Sequence, residues 1–154
     1  MTTIMNDTLS KRRLKMWIRF LGVARSAEGQ MREFLRVTHR TTLPRFDVLA
    51  ALHRRREAVT MSELGRLLLV SNGNVTAVVD RLELDGLAKR TTSNSDRRTI
   101  YVALTNKGLK QFEVLAVDHE REINALFRNL AGDELESLMQ LLKCMGKMGK
   151  GERA

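Results

Sequence analysis

Apolar residues recur every three to four positions from Leu14 to about Val37, at Trp17, Phe20, Leu21, Ala24, Ala27, Met31, Phe34 and Leu35. That spacing lines one face of a helix, so it predicts a long amphipathic first helix after a polar, loose stretch over residues 1–10. Threonines precede Pro44, and proline suits the first helical turn because the N–H it lacks has no partner there. A second helix is predicted over residues 44–57, with Phe46, Leu49, Ala50 and His53 on one face. Thr60 and Glu63 have the spacing of a capping box and open a short third helix. A new start signal at Ser71-Asn72 opens a fourth, and Gly86 is placed to end it. Two short helices joined by a tight turn near Val70–Ser71 outline a helix-turn-helix.

The period then changes. Residues 87–92 and 99–104 are β-branched or alternating and flank the polar hinge Ser93-Asn94-Ser95-Asp96-Arg97, which predicts a β-hairpin. Helical spacing returns after Thr105: Leu109, Phe112, Leu115, Ala116, His119, Ile123, Leu126 and Leu130 form one stripe. A last helix over residues 131–149 would turn Leu135, Leu138, Leu142 and Met145 inward. A helix-turn-helix with a trailing hairpin is a winged helix. The predicted class is mainly α with a small β-hairpin wing (α+β).

Composition narrows the partners. The 154 residues suit one domain, with 43% hydrophobic residues and a single proline. Lys and Arg number 27 against 18 Asp and Glu, a formal charge of +9. Such an excess points first to nucleic acid, then to an anionic membrane or polyanionic ligand, with a merely basic surface as the plain alternative. The lone Cys144 allows no disulfide within the chain, which fits a reducing cytoplasm. The N-terminus lacks the apolar core of a secretory signal, and no apolar run would span a bilayer. A cytoplasmic protein without membrane contact is expected.

The fourth helix begins Ser71-Asn72-Gly73-Asn74-Val75-Thr76. In a helix-turn-helix the start of the second helix meets base edges in the major groove, where Asn pairs with adenine and Ser or Thr bonds several edges. The same residues are also ordinary helix caps. At the hairpin tip, Arg97 and Arg98 would suit a minor groove, whose negative potential favours inserted arginine. Asp96 would pair with one guanidinium and orient the other, or would simply break up positive charge on a solvated turn. Candidate DNA contacts are Thr60, Ser62, Ser71, Asn72, Asn74, Thr76, Arg81, Arg90, Asn94, Asp96, Arg97 and Arg98.

The segment SNGNVTAVVDRLELDGLAKRTTSNSDRRTIYVALTNKG, residues 71–108, resembles the recognition helix and wing of the MarR transcription regulators. Their wing carries Asp-x-Arg followed by Leu-Thr-x-x-Gly, here Asp96, Arg98, Leu104, Thr105 and Gly108. The resemblance spans nearly the whole chain. It implies a single domain over residues 1–154, with a winged helix-turn-helix over 44–104 and dimerisation helices over 11–37 and 105–148. It further implies an interlocked homodimer on a pseudo-palindromic operator in double-stranded DNA, with a ligand that lowers DNA affinity. The residues independently favour a dimer, since the first helix and the last two carry more apolar surface than a small subunit covers. Packing of those stripes on each other within one chain is the alternative.

Three kinds of signal compete. Cys144 falls among Leu142 and Met145 and reads as core rather than as a reactive thiol. His39, His53 and His119 are scattered, so no metal site is expected. A small-molecule sensor is left. Trp17, Phe20, Phe46 and Leu49 would line an apolar cavity between the first two helices and the dimer interface, although each also fits plain core packing. Arg36, His39, Arg40, His53, Arg54, Arg55 and Arg56 lie near them in the chain and suit an anionic tail, although the run Arg54–Arg56 also fits phosphate contact or plain solvation. The segment from Leu43 to Thr76 also resembles MarR members that control aromatic-acid catabolism, which implies an aromatic acid or its acyl-CoA thioester as effector and no resident cofactor. Phosphate loop, nucleophile elbow and paired His–carboxylate spacing are all missing, so an enzyme is not expected. The functional rival is a non-specific architectural DNA-binding protein without an effector.

Overall fold

The computed structural model describes residues 8–68 and 72–146, with the side-chain surroundings of 72 and 73 left aside. Six helices and three short strands make up the described residues. In chain order they are α1 (Leu9–His39), α2 (Leu43–Arg55), β1 (Val59–Thr60), α3 (Met61–Leu67), α4 (Asn72–Leu84), β2 (Ala88–Thr92), β3 (Ile100–Leu104), α5 (Asn106–Leu126) and α6 (Gly132–Gly146). This is the predicted winged helix-turn-helix with flanking helices. Two compact units divide at Glu122/Ile123, near the end of α5.

Local signals set most boundaries. Thr8 caps α1, so helix begins at Leu9 inside the stretch read as loose; residues 1–7 lie outside the described part. Thr42 caps α2 through the Arg45 N–H at 3.4 Å, and Pro44 sits in the first turn. Arg40 (φ 50°) and Arg56 (φ 58°) end α1 and α2 in the left-handed conformation, so α2 stops short of residue 57. The capping box forms as predicted: the Glu63 N–H donates to Thr60 Oγ1 at 3.1 Å, and the Thr60 N–H donates to Glu63 Oε2 at 2.8 Å. The Thr60 N–H and the Thr60 hydroxyl, which donates to Glu63 Oε2 at 3.0 Å, hold the Glu63 pKa below its ordinary value. The turn near Val70–Ser71 lies outside the described residues.

The sheet has one strand more than predicted. Its order is β1-β3-β2, all antiparallel, with Val59 opposite Val102 and Thr91 opposite Tyr101. β1 is two residues long and shows no period of its own. Leu49, Leu52, Leu64, Val75, Val79, Leu82, Leu87 and Val102 are fully or almost fully buried and close a core under α2, α3, α4 and the sheet.

The Leu-Thr-x-x-Gly element joins this core to α5. The Thr105 N–H donates to Leu87 O, its hydroxyl donates to Gly86 O at 2.6 Å, and the Gly108 N–H donates to that hydroxyl at 3.0 Å. A Cβ on Gly108 would stand 1.9 Å from Leu87 O, so only glycine allows this approach. Gly86 ends α4 at φ 73°, as its position predicts.

Two expectations fail at the C-terminal end. The stripe to Leu130 predicts continuous helix, but α5 stops at Leu126 and residues 127–130 turn. The Glu134 carboxylate accepts the Ala131 N–H at 2.8 Å and starts a new helix there. Leu135, Leu138, Leu142 and Met145 were expected inward, yet α6 buries none of its residues, and Cys144 is exposed rather than core. The predicted end at 149 lies outside the described residues. Along α1 only Met31 and Leu35 are buried.

Candidate DNA-binding surface

α4 buries Val75, Val79 and Leu82, an i, i+4, i+7 stripe, against the core and leaves its other faces outward. Asn74, Thr76 and Arg81 are exposed along it. Ser71 lies outside the described residues, as do the side-chain surroundings of Asn72. Ser62 is exposed at the start of α3, and the Thr60 side chain is engaged in the capping box.

The wing tip is ordered by its own side chains. Ser93 Oγ accepts the N–H of Ser95 at 3.2 Å and that of Asp96 at 3.4 Å. Asp96 Oδ1 accepts the backbone N–H of Arg98 at 2.9 Å, and Oδ2 accepts the Thr99 hydroxyl at 3.1 Å. This corrects the expected guanidinium–carboxylate pair: Asp96 closes an Asx-type turn instead. Arg97 and Arg98 are exposed, and neither forms an ion pair among the described residues. Asn94 is exposed beside them.

Arg90 behaves differently. Its guanidinium lies 2.6 Å from Asp80 and 3.7 Å from Glu83 on α4, so it is an internal link rather than an outstretched wing cation. Sequence reading missed the partners because they lie seven and ten residues away on another element.

A second latch holds the far end of α4. Arg45 pairs with Asp85 and holds its carboxyl below the usual range, and Lys107 Nζ donates to the Asp85 carbonyl at 2.8 Å. No sequence signal pointed to this latch, whose partners come together only through the fold.

The candidate effector residues do not form one site within a subunit. Trp17 and Phe20 are exposed at 49% and 39% on α1, while Phe46 and Leu49 are buried. Phe46 stacks on His119 at 4.2 Å and meets Phe112 at 5.7 Å, and His53 meets Phe112 at 4.7 Å. Burial of His119 in this row lowers its pKa. Arg36 makes a two-bond pair with Glu33 on its own helix, and Arg40 is the exposed cap of α1. His39 lies edge-on to Phe34 and 3.1 Å from Asp118, outside hydrogen-bonding alignment.

Of the residues expected around the effector, His53 and Arg56 line the large groove of about 560 Å³, whose walls come from α2, β2, β3 and α5. Leu52, Ala103, Leu104 and Leu109 make its apolar part, with Arg56, Lys89, Glu57 and Glu113 at charged positions. Among the described residues no cluster of His, Cys, Asp and Glu is arranged to hold a metal ion, and no helix is long and apolar enough to cross a membrane.

Core, recognition helix and ordered wing together define a winged-helix DNA-binding protein. The model of the MarR family matches residues 41–99. The HTH-type transcriptional regulator MhqR of Bacillus subtilis is 28% identical over 142 residues, covering 92% of this chain and 97% of that protein. The transcriptional activatory protein BadR of Rhodopseudomonas palustris is 32% identical over 120 residues, 71% of this chain and 67% of that protein. The crystal structure of a mutant MarR from E. coli complexed with operator DNA is 27% identical with a TM-score of 0.74, covering 90% of this chain and 98% of that one. The chain belongs to the MarR family and is a DNA-binding transcription regulator. Its relatives are regulators, not enzymes.

Proposed function

We propose that the protein is a cytoplasmic homodimeric repressor that reads a pseudo-palindromic operator and is released from it by an aromatic carboxylic acid or its CoA thioester. The observation that carries the DNA reading is the wing tip. Asp96 is engaged by the Arg98 N–H and the Thr99 hydroxyl, and two adjacent arginines stand out without a carboxylate partner among the described residues. The exposed Asn74, Thr76 and Arg81 on α4 supply the matching major-groove side.

Exposed apolar faces support the dimer. Leu135, Leu138, Met139 and Leu142 lie at helical spacing on α6, and Leu14, Trp17 and Ile18 do so on α1, all at least 37% exposed. A second copy using the same faces removes them from water. Residues 11–37 and 105–148 thus serve dimerisation, and the exposed Trp17 and Phe20 belong to the covered face.

The groove beside His53 supports the effector. Its leucines suit an aromatic head, its Arg56 and Lys89 suit an anionic group, and its two glutamates suit hydroxyl or amide donors. Calorimetry with benzoate, benzoyl-CoA and CoA tests this. The proposal expects a thioester or acid to bind, and operator DNA to weaken that binding by the same factor by which the ligand weakens DNA binding. Failure of all three to bind, with DNA still released by peroxide or a metal ion, overturns the effector reading.

A further inference from the structure

Arg90 lies on β2, at the edge of the sheet, but its bonds run to α4. Its guanidinium reaches Asp80 Oδ1 at 2.6 Å, Glu83 Oε1 at 3.7 Å and the backbone carbonyl of Thr76 at 3.4 Å. Its backbone N–H donates to Glu83 Oε2 at 2.8 Å. Thr76, Asp80 and Glu83 stand at i, i+4 and i+7, so one residue grips successive turns along a single flank of the helix. That flank adjoins the buried stripe of Val75, Val79 and Leu82 and begins at the exposed N-terminal part of α4. A planar guanidinium can meet a carboxylate and a carbonyl at once, which the point charge of lysine does poorly. The Glu83 carboxylate also satisfies an N–H of the edge strand, which the sheet itself leaves open.

We propose that Arg90 is a positioning residue that clasps the wing to the recognition helix, so that Arg97 and Arg98 reach one groove while α4 occupies the next. The proposal rests on the reading that the wing arginines meet DNA. It differs from a phosphate contact by Arg90 in the sign of one effect. Neutralising Asp80 and Glu83 removes negative charge next to DNA, and by charge alone this tightens binding. If the two carboxylates hold the clasp, the same change releases the wing and removes the benefit of its arginines.

The experiment measures what Arg98→Ala costs in three backgrounds, using the tightest duplex selected from a random pool. In the wild-type chain the expected cost is roughly tenfold in affinity. In Arg90→Ala, and independently in Asp80→Asn with Glu83→Gln, the cost falls to about twofold or less, because the wing no longer reaches its groove. Thermal melting confirms that each background is folded, and the carboxylate variant decides the matter if Arg90→Ala does not fold. Arg90→Lys retains only part of the coupling. An equal cost of Arg98→Ala in every background overturns the clasp and leaves the wing reading standing. No cost even in the wild-type chain overturns the wing reading, and the clasp with it.

Discussion

The winged helix and the flanking helices are built to different ends. From α2 to β3 nearly every apolar stripe is closed within the chain: Leu49, Leu64, Val79, Leu82 and Val102 are each at most 1% exposed. In α6 a stripe just as regular stays in water, with Leu138 at 39% and Met139 at 56% exposed. Periodicity shows which face of a helix is apolar but not what covers it. A closed stripe stabilises the fold, whereas an open one is the surface that the proposed second copy would cover.

Breaking the open face is the strongest way to test that contrast. Leu138→Glu with Leu142→Glu places two charges in the stripe where burial needs apolar groups. Sedimentation should show monomers, and DNA affinity should fall by about a hundredfold or more because two half-sites no longer act together. A dimer that survives the change contradicts the assignment of this face.

Breaking the closed region should act on folding instead. Gly108→Ala drives a methyl into the Leu87 carbonyl, a clash that side-chain adjustment cannot relieve. Thermal or urea unfolding should show a loss of about 1–3 kcal/mol or more, the range for forced overpacking. A wild-type melting curve would mean that α5 does not sit against Leu87 in this way.

Between these extremes lies the wing tip. Asp96→Ala removes the acceptor for the Arg98 N–H and the Thr99 hydroxyl, so the turn loosens while both arginines remain. DNA affinity should fall by roughly five- to thirtyfold, since each of the two lost local bonds is worth about 1 kcal/mol. Had Asp96 acted only by diluting positive charge, its removal would strengthen binding, so the sign of the change is decisive.

Most of the fold could be read from the chain because its signals are local. Thr60 with Glu63, and Gly86 at the end of α4, each lie within a few residues of what they organise. The Thr105–Gly108 pair shows its spacing locally even though it docks on Gly86 and Leu87. What stayed hidden depends on distant partners. β1 exists because Val59 and Thr60 meet Val102 and Tyr101. Arg90 reads from the sequence only as a candidate DNA contact, and its ties to Asp80 and Glu83 exist because the fold brings α4 beside β2. The effector residues were grouped by nearness in sequence, and the fold separates Trp17 and Phe20 on the surface of α1 from Phe46 and Leu49 in the core.

The smallest effect expected is one of pH. Burial beside Phe46 lowers the His119 pKa, so the unfolded chain takes up a proton at a higher pH than the folded one. Stability should therefore be level above about pH 7 and decline as pH falls through the ordinary histidine value of about 6.5, until the folded state is protonated too. The decline should be shallower in His119→Phe, measured by urea unfolding across that range. An unchanged slope would mean that another group dominates.

The central claim is specific DNA recognition by paired recognition helices and wings. Its most direct test is selection of a duplex from a random pool, followed by titration against a scrambled duplex at several salt concentrations. The selected duplex should hold an inverted repeat with half-sites about one helical turn apart, roughly 34–36 Å. It should bind at least about a thousandfold more tightly than the scrambled one. With about 6–10 phosphates met, log K should fall with log salt at a slope of roughly −5 to −9. No repeat in the selected pool, and equal affinity for both duplexes at every salt concentration, would contradict the account and leave a non-specific architectural protein in its place.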